Sequence, residues 1–195
     1  MHTHSLSEYV DCLNRQDIHG IADLMLQSAQ KLTDMGADFM ICPDNTIHQA
    51  FGLVEPNSPR PWLHIAATVA EEAVSRGFKR VGLIGTRWLV ESNVYPDQLL
   101  SRGLEFARPS NAERQEVHRI IVKELVTGVI VPGSVEYIRR VIEGLAGQDC
   151  DSVVLGCTEI PLIISDENSS LPTLDSTRLL ARAALRRALE GEKRT

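Results

Sequence analysis

A chain of 195 residues, 43% of them apolar and 24% charged, has the composition of a globular protein, with length for one ordinary domain or two lobes of about 100 residues each. Twenty Lys and Arg against 26 Asp and Glu leave a net charge of -6, which argues against a broad electrostatic hold on nucleic acid or anionic lipid. No run approaches the ~18 uninterrupted apolar residues of a membrane span, and Met1-His2-Thr3-His4-Ser5 lacks a basic-then-apolar signal pattern. A cytoplasmic protein is expected. Its four cysteines, Cys12, Cys42, Cys150 and Cys157, follow no CxxC spacing and are too few for a disulfide scaffold, so reduced thiols are the expectation.

Residues 17–36 carry Ile21, Leu24, Met25, Ser28, Ala29 and Leu32 at three- and four-residue spacing, which predicts an amphipathic helix stopped by Gly36. Phe39-Met40-Ile41-Cys42-Pro43 then reads as a strand buried on both faces. The same succession recurs. Trp62-Leu63-His64-Ile65 leads into a helical run over 66–76, Arg80 to Gly85 is a buried strand, and 111–126 and 134–146 are helical. Ser152 to Gly156 and Leu171 to Leu174 are further strands, and Asp175 or Ser176 caps a last helix through Leu189, with Gly191 beyond its end and a charged, frayed tail from Glu190 to Thr195. Strands separated by helices imply parallel sheets covered on both faces. The Pro-rich segment Glu55 to Pro61 is the expected connection between lobes, and Ile164 to Pro172 the return crossing.

Asp38 opens a strand that ends six residues later at Asp44, before Asn45-Thr46; Asp151 opens one that ends six residues later at Cys157, before Thr158-Glu159. Each half thus puts a reactive side chain at the carboxyl end of a parallel strand, where open α/β sheets bind ligands. Beside Cys157, Gly156 permits close backbone approach, and Thr158 and Glu159 can hydrogen-bond a bound group. Spacing alone leaves the alternatives open. Cys157 also reads as a buried small hydrophobe, Asp44 reads from spacing more readily as a cap for Thr46 to Phe51 than as a reactive group, and Asn45 and Thr46 read as capping residues or donors to a carboxylate. Thr86, after Gly82-Leu83-Ile84-Gly85, is a cap or one hydrogen bond to a small anion, in a sequence matching no nucleotide loop. His48 reads as a partly exposed surface histidine, Arg87 and Trp88 as surface or lobe-interface residues, and the other three cysteines as packing. The six histidines have no metal-ligand spacing, so no metal is expected.

Gly36-Ala37-Asp38-Phe39 running to Pro43-Asp44-Asn45-Thr46-Ile47-His48, and Val154-Leu155-Gly156-Cys157-Thr158-Glu159-Ile160, resemble the two signatures of the aspartate/glutamate racemase superfamily. Gly82 to Thr86, with Tyr95, Leu99 and Gly103, fit the segment between them, so the resemblance runs from residue 5 or so to residue 190. It implies an α/β fold of two pseudo-symmetric Rossmann-like lobes with parallel sheets, the first spanning 1–60 and 172–195, the second 61–171. It also implies a small carboxylate or amino-acid substrate, no cofactor, and a homodimer. In that family one cysteine from each lobe flanks the substrate carbon; one removes the α proton and the other delivers a proton to the opposite face.

Two departures follow from the same comparison. Asp44 stands where most members have the first cysteine, and Cys42, two residues back and about 7 Å along the strand, does not substitute for it. The expected acid/base pair is therefore Asp44 with Cys157, carboxylate plus thiol at rest, and Asn45, Thr46, Thr86, Thr158 and Glu159 are the expected substrate-binding residues. The usual opening strand, Gly-rich turn and helix have no counterpart before Met1, so the first lobe is expected to lack its N-terminal strand, with a sheet edge open unless a partner covers it. Basic residues that hold a second carboxylate in acidic amino-acid racemases have no secure match. The activity implied is cofactor-independent racemisation or epimerisation of a small amino acid, aspartate or glutamate by resemblance. The alternatives are a one-thiol decarboxylase or cis-trans isomerase of a small carboxylate, and a non-catalytic carboxylate-binding homologue.

Overall fold

The structure, a computed structural model, describes residues 1–192. It opens on α1 (Leu6–Arg15), a helix ahead of the first periodic run read in the sequence. A capping box starts it: Ser5 N–H donates to the Glu8 carboxylate at 2.9 Å while the Ser5 hydroxyl accepts from the first turn. Helix α2 (Ile18–Asp34) follows, its first turn capped by Asp17 accepting from Gly20 N–H at 2.8 Å, and Gly36 takes a φ of 88° just past its end. Its buried face carries Ile21, Met25, Ser28 and Ala29, as the spacing predicts.

Strand β1 (Met40–Ile41) pairs in parallel with β2 (Trp62–Leu63). It is shorter than the expected run to Pro43, since Pro43 has no N–H to donate and the chain leaves the sheet there. Between the two strands lie a 3₁₀ turn (Thr46–Ala50), α3 (Phe51–Val54) and a second 3₁₀ turn (Glu55–Asn57). After α4 (Ile65–Ser75), β3 (Arg80–Gly85) leads through α5 (Arg87–Val90) and α6 (Val94–Leu100) to β4 (Glu105–Ala107). Then come α7 (Asn111–Lys123), a 3₁₀ turn (Leu125–Thr127), α8 (Pro132–Ala146), β5 (Ser152–Gly156), a 3₁₀ turn (Ile160–Leu162), β6 (Thr173–Asp175) and α9 (Ser176–Glu192).

The second sheet is parallel, in the order β4-β3-β5-β6. Alternation along its central strands splits the core. Val81, Leu83 and Val154 pack with α4 and α6, whereas Ile84, Val153 and Leu155 pack with α7 and α8. A third cluster joins α1, α2 and the turn after β1 through Tyr9, Cys12, Ile21, Met25 and Ile47.

Residues 172 onward were expected with the first lobe, but Thr173–Asp175 hydrogen-bonds to β5, so this strand extends the second sheet. The Ile164–Pro172 stretch therefore connects neighbours in one sheet rather than returning between sheets, while α9 packs on α4 and reaches β2. Helix α9 also runs past Leu189 and through Gly191, a residue that permits a stop without imposing one. Residues 193–195 of the expected frayed tail lie outside the described residues.

Candidate active site

In the second sheet the chain leaves β3 for β4 on one side, and leaves β5 for β6 on the other. The crevice at the carboxyl ends of β3 and β5 is thus a topological switch point, the place where doubly wound sheets open for ligands. The residues immediately past those ends are Thr86 and Cys157. Gly156 brings the thiol there: a Cβ in its place would lie 2.6 Å from Leu89 Cδ2 and 2.9 Å from the Ile84 carbonyl oxygen.

Asp44 arrives from the other sheet, three residues past β1. Its Oδ1 accepts from Thr46 N–H at 2.7 Å and Ile47 N–H at 3.3 Å, so the capping role is real, and Oδ2 has no hydrogen bond among the described residues. His48 is 3% exposed rather than a surface histidine. Its Nδ1 lies 2.8 Å from the Asp44 carbonyl oxygen, and Ile65 N–H donates to its Nε2 at 3.3 Å, which requires a neutral ring protonated on Nδ1. Burial, with His64 close by, holds His48 down to about 3. The neutral imidazole so ties the backbone of Asp44 to the start of α4.

A second buried chain of hydrogen bonds joins the two signatures. Tyr95 donates to Asn45 Oδ1 at 2.6 Å, Asn45 Nδ2 donates to Ser176 Oγ at 3.0 Å, and Ser176 donates to the Leu155 carbonyl at 2.9 Å. Asn45, beside Asp44, is thereby anchored to the strand that ends in Cys157. Ser176→Ala strips a partner from both Asn45 and Leu155, so a loss of about 1–3 kcal/mol is expected, read as a lower urea midpoint at unchanged m.

Asp44 and Cys157 line one cavity of about 180 Å³, and so do Asn45, Thr46, Thr86, Thr158 and Glu159. All seven residues singled out in the sequence meet there. Their commitments differ. The Thr46 and Thr86 hydroxyls are 3.0 Å apart, and Thr86 Oγ1 also accepts from Leu89 N–H as the cap of α5. Thr158 is exposed at the rim. Glu159 Oε2 accepts from the Cys157 thiol at 2.7 Å. A larger cleft of about 820 Å³ lies beside His48 and His64, and neither Asp44 nor Cys157 lines it.

Burial raises the Asp44 carboxyl above its ordinary 3.8, against the pull of the Ile47 and Thr46 N–H groups. Burial and then the Glu159 carboxylate raise the Cys157 thiol well above 9.0, although the N–H groups of Glu159 and Ile160 work the other way. The thiol is the resting form. Cys42 is held to a thiol as well, at about 12, by burial and by Asp44, and it does not line the cavity. Cys12 and Cys150 are buried in separate core clusters. No group of three or more His, Cys, Asp or Glu suited to a metal occurs among the described residues.

The family model for Asp/Glu/hydantoin racemases matches residues 4–184. The chain belongs to that family. Among solved structures, it is similar to a candidate Asp/Glu racemase from Yersinia pestis, with 33% identity and a TM-score of 0.87 over 95% of this chain and 81% of that one. It is 23% identical over 164 residues to the broad specificity amino-acid racemase RacX of Bacillus subtilis, covering 83% of this chain and 69% of RacX. A glutamate racemase from Thermus thermophilus is 31% identical over 168 residues, 85% of this chain but only 52% of the relative, so the chain spans about half of that protein.

This racemase-family cavity is closed by residues the sequence reading did not single out. Leu6, Val10 and Leu13 of α1, with Ile121, Val122 and Val126, make part of the lining apolar, and Tyr9, Trp88, Pro43 and Gly156 complete it. The signal for α1 was present in Ser5 and Glu8, which spell a capping box ahead of a Leu6-Tyr9-Val10-Leu13 stripe. Trp88, expected at the surface or a lobe interface, also stacks edge-on against His118 at 4.6 Å.

Proposed function

We propose that the chain is a cofactor-independent racemase or epimerase of a small α-amino acid, with Asp44 and Cys157 as its acid/base pair. The single observation that carries the reading is their shared cavity: a carboxylate from one sheet and a thiol from the other, with Asp44 Oδ2 left without a protein partner. Asp44 takes the α proton, and Cys157 gives one to the opposite face. The hydroxyls of Thr46, Thr86 and Thr158 donate to the substrate carboxylate as negative charge spreads onto it, and Asn45, which lines the same cavity, is assigned to that group with them. The thiolate left behind meets the N–H groups of Glu159 and Ile160. The breadth in the name of RacX supports a search beyond one amino acid.

The test is α-proton exchange in D₂O across a panel of amino acids, with chiral chromatography for inversion; absence of exchange with every one would remove the reading. A homodimer is proposed with it, and light scattering at the expected dimer mass is its check.

The pH profile follows from the two directions of shift. In the direction that uses ionised Asp44 and protonated Cys157, activity rises with pH through an Asp44 limb above 3.8 and falls only through a thiol limb above 9.0. Measured kcat/KM should therefore plateau between an acid limb lying above the ordinary carboxyl value and an alkaline limb lying above the ordinary thiol value. A fall in kcat/KM that sets in below pH 9 would instead count against a protonated Cys157 as the acid.

A further inference from the structure

The lining of the Asp44/Cys157 cavity divides into two kinds of residue. One is polar, and its only charged side chains are the carboxylates of Asp44 and Glu159. The other comprises Leu6, Val10 and Leu13 from α1 with Ile121, Val122 and Val126, and the uncharged rings of Tyr9 and Trp88. Among the described residues, no Lys, Arg or His lines the cavity.

An amino acid enters as an ammonium, a carboxylate and a side chain, and each needs a matching surface. The α-carboxylate has the threonine hydroxyls, neutral donors that serve one such group. The ammonium has Glu159 and Asp44, opposite charges within the same small space. What is left for the side chain is uncharged and mostly hydrocarbon, six aliphatic residues with the rings of Tyr9 and Trp88. A second carboxylate there would give up its hydration for an apolar lining, with two like charges near and no cation to compensate. An aliphatic side chain against the same lining gains the usual hydrophobic contribution.

We infer that the substrate side chain is apolar, and that the cavity selects against aspartate and glutamate by charge. This deepens the racemase reading and rests on it. The volume of about 180 Å³ suits a single free amino acid of modest size.

The experiment measures kcat/KM for α-proton exchange of alanine, valine, leucine and methionine beside aspartate and glutamate, at fixed pH and ionic strength. At least a tenfold preference for the best apolar substrate is expected. Aspartate or glutamate exchanged as fast or faster would overturn the inference while leaving the racemase reading standing. Calorimetric titration of the same compounds reads selectivity without turnover, so it remains decisive if no exchange occurs: tighter binding of leucine supports the inference, and tighter binding of aspartate overturns it. A 5-isobutylhydantoin exchanged in preference to leucine would overturn the assignment of an ammonium to the acidic side. Val126 is 43% exposed, so Val126→Lys puts a cation in the apolar lining at a position that tolerates substitution. It should raise the aspartate-to-leucine ratio at least tenfold, and an unchanged or lower ratio counts against the charge argument.

Discussion

Asp44→Asn should lower α-proton exchange by about 10²–10⁴-fold and leave the fold at least as stable as before. The substitution separates two roles that the structure assigns to different oxygens. Asparagine caps a helix start about as well as aspartate, and its Oδ1 still accepts from Thr46 and Ile47. What disappears is the basicity of the oxygen without a protein partner. The stability sign follows from linkage. A carboxyl whose folded-state pKa is raised above 3.8 contributes most at low pH, and that contribution is lost as pH rises through the folded value. At neutral pH the permanently neutral amide therefore leaves the urea midpoint unchanged or raised. A variant that keeps wild-type exchange would make Asp44 a capping residue and nothing more.

Removal of the thiol gives a different signature. Cys157→Ala takes away the donor on one face only, so racemisation should fall by about 10²–10⁴-fold. Asp44 still reaches the α proton of one enantiomer and returns solvent deuterium to the same face. The expected outcome is exchange with retention for that enantiomer, seen as deuterium by mass spectrometry without the opposite hand by chiral chromatography. Inversion at the wild-type rate would show that Cys157 is not the second proton carrier. The two variants also differ in stability. Cys157 is 7% exposed and part of the core that packs α7 and α8 on the sheet, so its truncation costs about 1 kcal/mol, whereas Asp44→Asn removes no packed atoms.

The sequence by itself determined the local elements and the two strand ends. Arg80–Gly85 and Ser152–Gly156 are legible because a short apolar run bounded by turns has few other ways to bury itself, and the buried face of α2 and the helical character of α4 and α8 follow from spacing. The weaker elements escaped. β4 has three residues, and α5 is a single turn held by the Thr86 cap, both too short to build a pattern.

Tertiary structure decided the rest, for one physical reason: periodicity says which face of an element is buried and nothing about what covers it. The pairing of Thr173–Asp175 with β5 made the ends of β3 and β5 a switch point. Only the folded chain brings Asn45 to Ser176, 131 positions away, and so holds the Asp44 turn to the strand of Cys157. The same holds for the burial of His48, the apolar lining from α1 and α7, and the absence of a cation from the cavity lining among the described residues. Local sequence spelled out the reactive groups; which charges and surfaces stand around them is a property of packing between distant segments.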